Sequence, residues 1–202
     1  MRFLPAGDAA LLVELDDLRA VLALSAALRA EPLDGIVDAV PAARTLLLRC
    51  DLEVTSLMAV ADAVRRIRPD SGPAAAERAV ELPACYDGPD LADVLAITGL
   101  TRRELIDWHT GADWQVAFCG FAPGFGYLVS QQARTIPRRE TPRTTVPAGS
   151  IGLAGEFSGI YPRPSPGGWQ LIGRTDVTLF DLEADPPALL RPGVAVRFVE
   201  CT

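Results

Sequence analysis

Nine glycines and seven prolines crowd the stretch between Gly120 and Gly168. Proline removes an amide donor and glycine adds backbone entropy to be lost, so this stretch cannot be built from regular helices. Short strands and structured loops must carry it. Val116–Phe118, Ile151–Ala154, Trp169–Ile172, Val177–Phe180 and Val194–Val199 read as strands, and together they predict a β-barrel for the C-terminal part.

The N-terminal part has a different texture. Leu11–Leu15 reads as a strand, and Asp16 and Asp17 then open a helix with Leu18, Val21, Leu22 and Leu28 at helical spacing. Ile36–Val40 and Thr45–Cys50 form a hairpin around Pro41. A second helix follows, with Thr55 or Ser56 as cap and Leu57, Val60, Ala61, Val64 and Ile67 on one face. If Ala79–Leu82 adds a strand, the order is the split βαβ pattern of a ferredoxin-like α/β sandwich. Pro69–Ala76 has the composition of a surface connection, which predicts two domains, 1–78 and 79–202, and an α+β chain. Two helices are expected next, Asp90–Ile97 and Arg102–His109. The second starts at Thr101, three residues before Glu104, the spacing of a capping box.

Composition removes several function classes. The net charge of −7 argues against a nucleic-acid partner. All 19 basic residues are arginine, so a Walker A loop and a Schiff-base lysine are both excluded. One histidine and four scattered cysteines, Cys50, Cys85, Cys119 and Cys201, offer no metal-ligand spacing and no CxxC pair. No metal site is expected, and the cysteines are expected to be buried or idle thiols. No leader and no membrane span are apparent, which predicts a soluble, cytoplasmic protein.

Four features carry chemistry. Phe121-Ala-Pro-Gly-Phe-Gly-Tyr-Leu128 sets aromatics among glycines and a proline, which suits a rigid loop with flat apolar faces; burial alone would also explain it. Val146–Gly155 offers backbone amides that could cradle an anion, Gly149 and Ser150 included, or simply glycines at barrel corners. Arg134, Arg138, Arg139 and Arg143 face a single acid, Glu140, giving a local charge of +3 in an acidic chain. Arginine forks match carboxylate and phosphate geometry, and the alternative is a solvated charged loop. His109 has the ordinary pKa of a neutral-pH general acid or base, and equally suits the last turn of a helix, where it meets exposed carbonyls.

In chain order, Pro83-Ala-Cys-Tyr-Asp-Gly88, Trp108-His109, Gly120–Leu128, Pro137-Arg-Arg139, Thr141-Pro-Arg143, Val146–Gly152, Gly159-Ile-Tyr-Pro162 and Ser165–Thr175 resemble the KipI and allophanate hydrolase subunit 1 family. The resemblance covers nearly the whole chain. It implies a ferredoxin-like domain followed by a cyclophilin-like β-barrel. The role it most often implies is the B-type subunit of an ATP-dependent 5-oxoprolinase. That enzyme hydrolyses 5-oxo-L-proline to L-glutamate and also needs an A-type subunit and a C-type subunit, the latter resembling allophanate hydrolase subunit 2. The alternatives are a component of an allophanate hydrolase or urea carboxylase system, or a KipI-like histidine kinase inhibitor. The implied site has His109 and Arg143 as catalytic residues, with Phe121, Pro123, Phe125, Tyr127, Arg138, Gly149, Ser150, Gln170 and Arg174 binding substrate or nucleotide. ATP would be used by the complex. Phe121–Leu128 and Tyr161–Trp169 are expected to expose an aromatic docking patch, and His109 to share a mouth with the Phe121–Tyr127 loop.

Overall fold

The computed structural model describes residues 1–68 and 79–201. The chain divides into two compact units, Met1–Pro73 and Ala74–Thr202. The boundary expected near residue 78 lies outside the described residues.

The first unit runs β1 (Arg2–Pro5), β2 (Ala10–Glu14), α1 (Leu18–Ala30), β3 (Ile36–Pro41), β4 (Thr45–Cys50) and α2 (Leu57–Arg66). Its sheet has the order β1-β2-β4-β3, and every neighbouring pair is antiparallel. Both helices start where short polar side chains satisfy free amides: Asp17 accepts from the Ala20 amide at 2.8 Å and Ser56 from the Ala59 amide at 3.2 Å. Val21, Leu24, Val60 and Val64 then meet Val13, Leu46 and Leu48 of the sheet in one apolar core. The strand expected at Ala79–Leu82 is displaced. It forms as β5 (Val80–Ala84) but pairs in the second unit, and the fourth strand of the first sheet is the N-terminal β1.

The second unit continues with α3 (Leu91–Thr98), α4 (Arg102–Gly111), β6 (Trp114–Cys119), β7 (Gly126–Val129), β8 (Arg143–Val146), β9 (Ser150–Ala154), β10 (Phe157–Ile160), β11 (Ser165–Gly167), β12 (Gln170–Arg174) and β13 (Ala195–Glu200). Thr101 and Glu104 form the expected capping box at α4. Seven strands make a sheet of order β12-β9-β10-β7-β6-β13-β5, antiparallel except at β13 and β5, while β8 and β11 pair separately. Val177–Phe180 forms no strand, only an isolated bridge between Phe180 and Ala188.

The two ends of this sheet meet. Cys85 and Arg174 exchange backbone hydrogen bonds at 2.9 Å, the Gly88 amide donates to the Ile172 carbonyl at 3.2 Å, and the Asp90 amide donates to the Leu171 carbonyl at 3.0 Å. The segment from Cys85 to Asp90 therefore stitches β5 to the outer edge of β12. The barrel-like sheet nearly closes there. Gly173 is required at the seam, because a Cβ would run into the Cys85 carbonyl. The expectation of buried or idle thiols fails for two of the four cysteines at the same place: Cys85 and Cys201 are joined in a disulfide with Cα atoms 5.2 Å apart, because parallel pairing of β5 and β13 brings residues 116 apart in sequence side by side. Cys50 and Cys119 are unbonded thiols. Among the described residues no helix is long and apolar enough to cross a membrane, and no group of acidic, histidine or cysteine side chains could hold a metal ion.

Candidate functional site

The Gly-Pro-rich stretch folds its aromatics inward. Phe125, Tyr161 and Trp169 are buried in one cluster with Val146, Ala154 and Leu171, and Tyr127 and Phe157 pack against it. The rings meet edge to face: Phe125 lies 5.4 Å from both Tyr161 and Trp169, centroid to centroid. The docking patch expected from Phe121–Leu128 and Tyr161–Trp169 is therefore largely core. Phe121 is the exception, with 55% of its surface exposed.

A cavity of about 310 Å³ opens among these rings. Phe121, Phe125, Tyr127, Phe157, Tyr161 and Trp169 supply aromatic wall, and Arg138 is its one charged lining residue. Gly167 gives Tyr161 room, since a Cβ there would strike the phenol ring and hydroxyl. Burial pushes the Tyr127 and Tyr161 phenols up, while the Arg138 charge pulls both the other way. The two hydroxyl-bearing rings and the guanidinium thus share one electrostatic neighbourhood. Four of the expected binding residues, Phe121, Phe125, Tyr127 and Arg138, come together here.

The arginine-rich segment does not act as one patch. Arg139 and Arg143 both turn to Asp90, at 2.5 and 2.6 Å from the same carboxylate oxygen, and the other oxygen accepts the Leu171 amide at 2.7 Å. Burial would raise the Asp90 pKa, but the Arg143 hydrogen bond, the Leu171 amide and both guanidinium charges outweigh it and hold the carboxyl below its ordinary value. Arg134 lies over the Trp108 ring at 5.8 Å. Only Arg138 of the four lines the cavity.

Its backbone is pinned on both sides. The Ile136 amide and carbonyl pair with Gly155, the Gln170 side-chain amide donates to the Pro137 carbonyl at 3.3 Å, and the Arg139 amide donates to the Gly168 carbonyl at 2.9 Å. Gln170 is thus a loop anchor, and its Oε1 is buried without a partner. Asp90, which in sequence is only a helix start, anchors the same loop through Arg139. No sequence signal ties it to residues 49 and 53 positions away.

Several other expectations need correction. His109 is completely buried at the end of α4 instead of facing the cavity mouth. Its Nδ1 is 2.7 Å from the Tyr86 hydroxyl and its Nε2 is 3.0 Å from the Ser158 hydroxyl. Phe198 lies 4.2 Å away, ring to ring. Burial drives its pKa down to about 3, so it is neutral and sealed, a structural hub rather than a proton-transfer group at the surface. Arg143 is held by Asp90 and does not line the cavity. Gly149 and Ser150 do not form an anion cradle, because their amides already donate to the Tyr161 and Pro147 carbonyls. Gly149 instead supplies a turn at φ 78°. Arg174 sits outside the cavity, paired with Asp87 at 3.0 Å, and Pro123 is exposed and not part of the lining.

Phe121 is the unusual residue of the lip. It has φ 67°, and the Ala122 amide donates to the Gly120 carbonyl across it at 2.7 Å, a γ-turn. A bulky side chain in this backbone region costs on the order of 1–3 kcal/mol. The strained turn leaves the ring edge-on to Phe125 at 5.2 Å and to Tyr161 at 5.9 Å.

The sequence matches the family described as carboxyltransferase domain, subdomain C and D, over residues 1–190. It is 38% identical over 195 residues to the B subunit of 5-oxoprolinase from Bacillus subtilis (strain 168), covering 89% of this chain and 81% of that protein. It is 50% identical over 127 residues to the B subunit of 5-oxoprolinase from Escherichia coli O157:H7, 60% of this chain and 58% of that one. Among solved structures, that of TTHA0988 matches with a TM-score of 0.78 and 35% identity, covering 96% of this chain and 40% of that chain.

Proposed function

The chain belongs to the carboxyltransferase subdomain C and D family, and from that premise we propose that it works as the B-type subunit of an ATP-dependent 5-oxoprolinase, opening the lactam of 5-oxo-L-proline to L-glutamate together with A-type and C-type subunits. The likeness to the B subunit of 5-oxoprolinase along most of the chain carries this reading. The aromatic cavity with its single arginine gives it a chemical focus. A lactam is a poor electrophile. Transfer of the γ-phosphoryl group of ATP to its oxygen would activate the ring carbon, so that water adds there and the C–N bond breaks. The ring nitrogen takes up a proton to leave a γ-glutamyl acyl phosphate, which a second water hydrolyses to glutamate and phosphate.

This chain is not equipped to do all of that. It has no lysine, its one histidine is sealed, and its cavity presents one cation, too few for a triphosphate. On this reading the nucleotide is held outside this cavity. The same reading takes the first unit as a ferredoxin-like variant, supported by the order β2-β4-β3 with α1 and α2, and the nearly closed sheet as a cyclophilin-like barrel. It also places the protein in the cytoplasm, where the redox state of Cys85 and Cys201 becomes a second readout, since reducing compartments disfavour disulfides.

The test is reconstitution. The chain is purified alone, with a C-type partner, and with both partners, and 5-oxoproline-dependent ATP hydrolysis is measured in each. Turnover confined to the three-component mixture is expected. Turnover by the chain alone would refute the division of labour, and a stable three-component complex inert toward 5-oxoproline would refute the function.

A further inference from the structure

The cavity at Arg138 has the build of a site for one anion on a flat body. Its volume of about 310 Å³ lies at the small end of ligand pockets, which run from about 300 to 1,000 Å³. Aromatic faces line it, and a single guanidinium is set among phenols. The guanidinium is available: no carboxylate lies within salt-bridge distance of Arg138 among the described residues, whereas Arg139 and Arg143 are taken by Asp90 and Arg174 by Asp87. Its loop is fixed on both sides by the Ile136–Gly155 pair, the Gln170 contact and the Arg139–Asp90 ion pair, so the cation is presented rather than left to wander. Above it, a strained backbone keeps the exposed Phe121 ring at the mouth. Strain retained where a ring guards a cavity has the character of a ligand clamp.

We propose that this cavity binds a small ring monocarboxylate, its carboxylate on the Arg138 fork and its flat ring between the Tyr127, Tyr161 and Trp169 faces, with Phe121 as the clamp. One arginine matches one carboxylate bidentately. A nucleotide triphosphate exceeds both the charge and the room, so the site divides the two reactants of an ATP-coupled lactam hydrolysis: the carboxylate binds here and the nucleotide does not. The identification of that carboxylate with 5-oxoproline rests on the function proposed above; the site itself rests on the cavity.

The experiment titrates the full chain with L-5-oxoproline, cyclopentanecarboxylate, 2-pyrrolidinone and ATP, reading indole signals by NMR with Trp169→Phe assigning the cavity indole. Both carboxylates are expected to perturb Trp169. The neutral lactam 2-pyrrolidinone should bind at least tenfold more weakly, and ATP should not compete. Arg138→Gln should weaken carboxylate binding at least tenfold, and Arg134→Gln should leave it unchanged. Equal binding of the neutral lactam, competition by ATP, an Arg138→Gln chain that binds normally, or no binding of either carboxylate at millimolar concentration would each overturn the site. The two readings fail separately. An assembled complex that hydrolyses 5-oxoproline normally with Arg138→Gln overturns the site and leaves the function standing. Ring carboxylates bound at Arg138 by a chain whose complex ignores 5-oxoproline support the site and overturn the function.

Discussion

Asp90 and Arg143 are 53 residues apart in sequence and 2.6 Å apart in the fold, and the same Asp90 oxygen also holds Arg139. This carboxylate belongs to two structures at once. Its backbone amide and its second oxygen close the barrel seam against Leu171, and its ion pairs tie down the loop that presents Arg138. Seam and cavity share one residue.

Replacing Asp90 with Asn would leave two guanidinium groups facing a neutral side chain. Breaking a buried pair by removing one partner costs about 3–5 kcal/mol. Urea denaturation at pH 7 should register a loss of that order. Arg143→Ala should cost less, because Arg139 remains on the carboxylate. Since the folded state holds the Asp90 carboxyl below its ordinary value, this contribution is present above the ordinary aspartate range and is lost as the pH falls below it.

His109 makes the opposite residue type behave similarly in acid. Its pKa is about 3 in the fold, against an ordinary value of about 6.5. Between these values the unfolded chain takes up a proton and the folded chain does not, so stability falls as the pH drops from about 6.5 toward 3, by up to about 1.4 kcal/mol per pH unit. His109→Asn should be less stable at pH 7, having lost the contacts to Tyr86 and Ser158, yet show a shallower slope in acid. Denaturation midpoints at pH 7, 6, 5 and 4 check this; identical slopes in the two proteins would contradict the buried, neutral assignment.

The Cys85–Cys201 bond spans 116 residues. Disulfides of this kind contribute about 2–4 kcal/mol, mainly by restricting the unfolded chain. Thiol titration of the denatured, oxidised protein should find Cys50 and Cys119 only, and reduction should expose all four thiols while lowering the midpoint of unfolding. Four reactive thiols without reductant would contradict the pairing.

Gly173→Ala places a methyl group against the Cys85 carbonyl, which is backbone and cannot swing aside. Overpacking of this sort costs about 1–3 kcal/mol. The loss should appear as faster hydrogen exchange at the Cys85 and Arg174 amides, the two donors across the seam, ahead of exchange elsewhere in the barrel.

What could be read from sequence was local. Ser56 and Thr101 cap helices through amides three residues away, so their side chains carry the information themselves. The aromatic loop, likewise, announced a rigid apolar surface, and Phe121, Phe125, Tyr127 and Arg138 do line one cavity. The failures all turn on distant pairing. Val80–Ala84 had to choose between two sheets, and its partner β13 lies at the other end of the chain. The four arginines differ only in what meets them, and Asp90 arrives from another element. His109 had the same local setting whether exposed or sealed; Tyr86, Ser158 and Phe198, which enclose it, come from three separate segments. Val177–Phe180 has strand-like side chains, but a single bridge to Ala188 is all the pairing it finds.

A β-sheet with free margins can recruit a foreign strand, and the seam from Cys85 to Asp90 removes that option from the barrel. Among the described residues, the sheet of the first unit keeps two margins, β1 and β3, each ending in a proline, Pro5 and Pro41, that has no amide to offer. Among the described residues, a neighbour that lends a strand to this sheet would do so alongside the residues that precede those prolines. At the seam the seven-stranded sheet is left to meet neighbours through loops and side chains, which can discriminate between partners without inviting the open-ended stacking to which bare strands are prone.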